Sequence, residues 1–81
     1  MAPYAGWKNY QTWNVALWIG NDPGWYTLAA GMENYTQFKD YMREIGVTET
    51  PDQVSLNDSG LDVKALDQAI RDIRTIEAQG G

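Results

Sequence analysis

The strongest hydrophobic pattern in the chain runs from Tyr10 to Asp22, where YQTWNVALWIGND holds two of the four tryptophans. With a turn of about 100° per residue, the polar side chains of a helix here would occupy only a narrow strip. A short helix that is apolar on nearly all sides is normally buried, Leu17 included. Thr12 can cap its start and Pro23 prevents its continuation. The pattern therefore predicts a core helix over residues 12–21.

Three further segments repeat apolar side chains at helical spacing. Residues 24–30 form a short repeat that ends at Gly31. Residues 33–45 repeat at i, i+3, i+7 and i+10, and Gly46 follows as a natural C-cap because it accepts positive φ. Residues 62–77 make the longest stripe. The apolar positions of these segments are Trp25, Leu28, Ala29, Tyr35, Phe38, Met42, Ile45, Val63, Leu66, Ile70, Ile73 and Ile76.

The remaining segments complete the fold prediction. Residues 47–56 alternate β-forming side chains around Pro51-Asp52, which favours a small β-hairpin. Residues 1–9 lack periodicity and are expected to be an irregular lead-in, while residues 78–81 should fray. The sequence thus predicts one mainly α domain over residues 1–81, with three to four short helices and a hairpin near residues 47–56.

Residue types that support common catalysis are missing. The chain has neither histidine nor cysteine, which removes histidine-activated nucleophiles, thiolate chemistry and the usual metal ligands. Its glycines match no phosphate-binding loop, and carboxylate-only chemistry, though conceivable, has no recognisable pair. We therefore expect a protein that is not an enzyme and uses no cofactor and no metal.

The charge balance excludes further classes. Eleven acidic residues against six basic ones give a net charge of −5, which disfavours direct binding to nucleic acid phosphates. No apolar run approaches the roughly 20 residues of a membrane span, so no membrane partner is expected. Acidity serves solubility in many proteins. It could also form an acidic face that imitates nucleic acid, for which the candidates are Glu49, Asp52, Asp58, Asp62 and Asp67.

The polar strip of the first predicted helix offers a second candidate surface. Asn14 and Asn21 lie on it seven residues apart, and Trp18 borders it. Packing alone does not explain an amide within an apolar helix, since burying it without a partner would cost about 1–3 kcal/mol. Asn14 should therefore either bond inside the fold or contact a partner. Trp18 is the aromatic candidate for partner binding because tryptophan is enriched at binding hot spots.

The same stretch carries a family resemblance. Tyr10-x-Thr12-Trp13-Asn14-Val15-x-Leu17-Trp18-Ile19-x-Asn21-Asp22 resembles the signature of a family of small proteins encoded by tailed bacteriophages, cyanobacterial phages among them. The resemblance is close over residues 8–26 and looser through residues 35–46, 50–54 and 61–66. The family is a domain of unknown function. The resemblance therefore implies a setting, the cytoplasm of an infected bacterial host, and no catalytic or ligand residue.

Three functional hypotheses follow. The leading one is a small non-enzymatic phage protein that binds a host bacterial protein to inhibit or redirect it, as in host takeover or defence evasion. One alternative is an acidic nucleic-acid mimic that blocks a DNA-binding host enzyme. The other is a binder of a nucleotide signal or metabolite, which needs a concave pocket. A homodimer could also form, because aromatic-rich chains of this size can leave an apolar patch exposed.

Overall fold

The structure, a computed structural model, describes residue 4 and residues 6–80. These residues form four helices: α1 (Tyr10–Asn21), α2 (Pro23–Ala30), α3 (Tyr35–Glu44) and α4 (Val63–Gly80). The radius of gyration is 12.0 Å, close to the roughly 11.7 Å expected for a compact chain of this length. The mainly helical, compact fold predicted from the sequence is confirmed.

The core lies where α4 meets the other three helices, all of which contact it. Two apolar stripes from α3 and α4 supply most of it, with Val15 and Ile19 from α1 and Ala29 from α2. Val54 and Leu56 enter from the segment between α3 and α4. The fully buried members of the two stripes are Tyr35, Phe38, Met42, Leu66 and Ile70, with Ile73 slightly exposed.

Each helix has a side-chain cap at its start. The caps are Asn9, Asp22 and Asn34, whose side-chain oxygens accept from the backbone N–H groups of Thr12, Trp25 and Gln37. For α4 the Asp62 carboxylate accepts from the N–H of Ala65. Such caps satisfy donors that have no partner within the helix.

The first helix begins earlier than predicted. Thr12 was expected as its cap, but Asn9 takes that place and α1 starts at Tyr10. Thr12 is instead fully buried within the first turn. At the other end of the chain, α4 continues through residues 78–80, where fraying was expected, while residue 81 lies outside the described residues.

The predicted hairpin is not supported. Among the described residues no strand forms; Glu49 and Ser55 make a single antiparallel bridge. The two arms share hydrogen bonds from Thr50 N to Val54 O and from Leu56 N to the carbonyl of residue 48, at 2.8 and 2.9 Å. Beyond these bonds the chain turns away, because the Leu56 side chain is drawn into the core.

Several apolar side chains assigned to buried stripes are exposed. Leu17 is 38% exposed and Ile45 53%, although both fit the helical repeat of the predicted core. Val63 and Ile76 at the two ends of α4 are also exposed. Periodicity identifies an apolar side of a helix, but the neighbouring elements decide how much of that side they cover.

Candidate functional site

Two polar side chains of α1, those of Thr12 and Asn14, hydrogen-bond the segment between α3 and α4. Asn14 is only 1% exposed. Its Nδ2 donates to Asp52 Oδ2 at 2.8 Å, and its Oδ1 accepts from the Thr50 hydroxyl at 2.6 Å. The Thr50 hydroxyl oxygen in turn accepts from the backbone N–H of Val54 at 3.1 Å. The amide of Asn14 is therefore hydrogen-bonded through both of its ends inside the fold.

Trp18 binds the same carboxylate oxygen. Its Nε1 donates to Asp52 Oδ2 at 3.0 Å, and its ring lies 6.2 Å from that of Trp25. Trp25 lies 5.8 Å from Phe38, so a row of aromatic rings leads from this hydrogen bond into the core. The hydrogen bonds from Asn14 and then from Trp18 lower the pKa of the exposed Asp52 carboxyl, because both stabilise its charged form.

One turn earlier on α1, a second group of hydrogen bonds holds the chain just before α4. Asn9 Nδ2 donates to the carbonyl of Gly60 at 2.6 Å. The Thr12 hydroxyl donates to Asn9 Oδ1 at 2.7 Å and accepts from the backbone N–H of Asp62 at 3.0 Å. Together with Asn14 and Trp18, these side chains fasten residues 50–62 onto α1; we call the whole set the α1 clamp.

Asn21 does not belong to the clamp. It is exposed, and its Nδ2 donates to the carbonyl of Leu17, one turn back, at 2.8 Å. Trp18 and Asn21 border a shallow depression that Leu17, Asp22 and Pro23 complete. Asn14 does not line it. The three candidate binding residues thus do not form one surface: Asn14 is enclosed, whereas Asn21 and part of Trp18 remain accessible.

The side of α1 next to Asn14 carries an apolar surface that the hydrophobic pattern assigned to the core. Tyr10, Trp13, Leu17 and Asn21 recur at i, i+3, i+7 and i+11 and define what we call the outer face of α1. Tyr10 is 41% exposed, Leu17 is 38% exposed and Trp13 is half-buried. The Tyr10 and Trp13 rings lie 5.8 Å apart, and Tyr4 lies about equally close to both.

This surface could have been suspected from one feature of the sequence. All twelve residues of α1 are uncharged, and a helix that is apolar on nearly all sides in so small a domain must leave some of that surface uncovered. The rule that apolar helices are buried led instead to the prediction that α1 lies in the core.

The five acidic candidates have individual structural explanations. Asp52 belongs to the clamp, and Asp58 accepts from the backbone N–H of Gly60 at 2.7 Å. Asp62 caps α4. Asp67 accepts from the backbone N–H of Tyr35 at 2.8 Å and so ties α4 to the start of α3. Glu49 is exposed at the bridge. Four of the five carboxylates therefore accept hydrogen bonds within the chain, and the fold accounts for them without a partner.

In the described part of the chain, no three acidic side chains come together as a cation site would require. None of its helices combines the length and apolarity that a bilayer crossing needs. Every buried side-chain nitrogen or oxygen in these residues has a hydrogen-bond partner.

Comparison with known proteins gives one match. No curated protein and no solved structure matches the chain. A protein-family profile, described as "Family of unknown function (DUF7249)", matches residues 1–77. The match spans α1 to α3 and all but the last turn of α4, and so includes both the clamp and the outer face. Because it covers nearly the whole chain, this protein belongs to the family of unknown function DUF7249.

Proposed function

We propose that this chain is a small non-enzymatic protein-binding domain that docks on a host protein through the outer face of α1. The observation that carries the proposal is an uncharged helix whose outward side presents Tyr10, Trp13 and Leu17 to solvent. The resemblance of residues 10–22 to small proteins of tailed phages supports the setting, a bacterial cytoplasm during infection.

The chemistry of the outer face matches the centre of a protein interface. Interface cores are depleted of charge and enriched in tyrosine and tryptophan, and hot spots draw on the same residues. The other long helices differ: the exposed side of α3 carries Arg43 and Glu44, and that of α4 carries Lys64, Arg71 and Asp72. Among the three helices longer than eight residues in the described chain, α1 is therefore the one whose outer side best suits desolvation by a partner.

The dimensions indicate how much of an interface α1 can supply. Twelve residues at a rise of about 1.5 Å make a helix roughly 18 Å long. A standard interface covers about 800 Å² on each partner, more than one helix face offers. We therefore assign the outer face the role of interface centre, with the exposed Asn21 at its end as part of the rim.

The α1 clamp would serve this function by holding the helix rigid. Asn14 and Trp18 fix α1 to the Asp52 turn along one edge of the outer face. A surface that is already ordered loses less conformational entropy on binding, which raises affinity. In this proposal Asn14 contributes to binding by positioning the helix. Of the three candidate residues predicted from the polar strip, only Asn21 and Trp18 could touch the partner, at the edge of the interface.

Capture from bacterial host lysate with matched variants tests the proposal. Leu17→Glu places a charge in the middle of the outer face, and Ile76→Glu places the same charge on α4, at a side chain that is 59% exposed. We expect wild type and Ile76→Glu to retain the same stoichiometric partner and Leu17→Glu to lose it, with all three equally helical by circular dichroism. Equal capture by both variants, or no partner for any of them, would reject the outer face as the binding surface.

Light scattering separates a host partner from a second copy of the chain. If the outer face mediates a homodimer, wild type and Ile76→Glu would be dimers and Leu17→Glu a monomer. If wild type and both variants are monomers, and only Leu17→Glu loses the captured partner, the outer face binds a host protein.

A further inference from the structure

A cleft between α3 and the segment that follows it combines positive charge with an apolar floor. Two cations line it, Lys39 and Arg43, which lie one helical turn apart on α3. The hydroxyl-bearing residues Thr48 and Ser55 line it as well. The buried Leu56 and half-buried Val47 supply its apolar lining. The outer face of α1 contributes no residue to this cleft.

The charge of the cleft is opposite to that of the chain. The protein has only six basic residues and a net charge of −5, yet two of the six converge here and no acidic residue lines the cleft. Cations at i and i+4 of a helix repel each other mildly. Arg43 suits the last turn of α3, because the helix dipole stabilises a cation there, but its i, i+4 spacing from Lys39 adds no stability of its own.

Both cations keep donors that a ligand can use. Lys39 Nζ donates to Asn57 Oδ1 at 3.0 Å, which occupies one of its three N–H groups. Arg43 meets Asp40 at 3.6 Å, with the two side chains 71% and 51% exposed. Exposed pairs of this kind contribute little stability, so the guanidinium can turn into the cleft at small cost.

We propose that this cleft binds a small organic anion. Its phosphate or carboxylate head would lie between Lys39 and Arg43, with hydroxyl donors from Thr48 and Ser55. Its apolar body would cover Val47 and Leu56. A charged head and an apolar tail are both needed, because the cleft offers each group a separate surface.

The size of the cleft limits the ligand. Its volume is about 230 Å³, the space of roughly eight water molecules at about 30 Å³ each. That is below the range of about 300–1,000 Å³ common for drug-sized ligands. A whole nucleotide would not be enclosed, whereas a short alkyl phosphate or carboxylate fits.

Titration of the whole chain by NMR tests the site with four probes: butyl phosphate, pentanoate, inorganic phosphate and butylammonium. We expect butyl phosphate or pentanoate to shift the amide signals of residues 43, 47 and 55–57 in a saturable way. The tighter of these two anions identifies the head group. Inorganic phosphate should bind more weakly, since it lacks the tail, and butylammonium should not bind there.

A pair of double variants makes the charge requirement explicit. Lys39→Met/Arg43→Met removes both cations of the cleft, and Arg71→Met/Arg74→Met removes two exposed cations from α4. The first should weaken binding of the organic anion by about fivefold or more, and the second should leave it unchanged. Absence of saturable shifts with either organic anion, equal binding of butylammonium, or equal weakening by both double variants would overturn the proposal.

Discussion

The side chain of Asn14 joins two parts of the chain that are far apart in sequence. Its amide bonds Thr50 and Asp52, 36 and 38 residues away. Both amide ends are used, and the site excludes water from Asn14 and Thr50. A polar group in this position contributes less through its own bonds than its removal costs, because the buried Thr50 hydroxyl would be left without its acceptor.

Replacing Asn14 tests this account. Asn14→Ala leaves the Thr50 hydroxyl without its acceptor and removes a donor from Asp52, so the free energy of unfolding should fall by about 1–3 kcal/mol. Urea denaturation followed by circular dichroism measures it. Asn21→Ala is the matched control on the same helix: its amide is exposed and bonds only the backbone of Leu17, so its effect should stay within about 0.5 kcal/mol.

The two variants also separate structure from binding. If Asn14→Ala were as stable as wild type but lost a partner, the buried amide would not have the structural role assigned to it here. The sequence could establish that Asn14 needed a hydrogen-bond partner, because an amide in an apolar helix demands one. It could not name Thr50 or Asp52, since nothing local to α1 specifies which distant segment folds over it.

At the scale of structural elements, the turn of Thr50 to Gln53 shows why the local β-hairpin pattern predicted only part of the structure. The N–H of Gln53 donates to the carbonyl of Thr50 at 2.8 Å, as Pro51-Asp52 in a turn would suggest. Gln53 has a φ of 69°, the left-handed region that favours glycine. The sequence therefore predicted the turn itself. It did not predict that hydrogen bonds to α1, rather than a long ladder between strands, hold the turn in place.

The caps show the opposite case. Asp22, Asn34 and Asp62 stand directly before their helices, and Gly46 ends α3 with a φ of 87°. Signals of this kind are local, so the predicted starts of α2 and α4 and the end of α3 lie within one residue of the observed ones. The start of α1 was missed because Thr12 has a cap-forming side chain that the fold uses for a distant contact with Asp62.

Protonation of Asp52 should loosen this turn at low pH. Its pKa in the folded protein lies below the value of about 3.9 typical of an unfolded chain. The stability that its charged form contributes is therefore fully present above that unfolded value and is lost as the pH falls through the folded pKa. We expect Asp52→Asn to be less stable than wild type at pH 7, with a smaller difference at pH 2.5, as measured by thermal unfolding at both values.

Asp72→Asn is the control for that experiment. Asp72 is also an exposed aspartate, but it lies on α4 and its carboxylate bonds only Gln68, one turn away. The change in melting temperature between pH 7 and pH 2.5 should be nearly the same for Asp72→Asn as for wild type. A constant deficit for Asp52→Asn at both values would show that the turn depends on the side chain and not on its charge.

For the molecule as a whole, the arrangement of four helices explains which apolar positions the sequence misassigned. A domain of about 80 residues can bury only somewhat over 60% of the surface of its unfolded chain. The stripes of α3 and α4 face each other and fill most of the core, whereas α1 packs against α2, α4 and residues 50–62 and still leaves Tyr10 and Leu17 exposed. The hydrophobic pattern of α1 alone does not show how many neighbouring elements are available to cover it.

A comparison of two leucines tests this division between core and surface. Leu66 is fully buried and Leu17 is 38% exposed. Leu66→Ala should lower the free energy of unfolding by about 2–5 kcal/mol, because it leaves a cavity among close-packed neighbours, whereas Leu17→Ala should lower it by less than about 1 kcal/mol. Denaturant unfolding at low and high protein concentration is the measurement. If Leu17→Ala proved as costly as Leu66→Ala only at high concentration, the outer face of α1 would be covered by a second copy, because only an associating surface makes apparent stability depend on concentration.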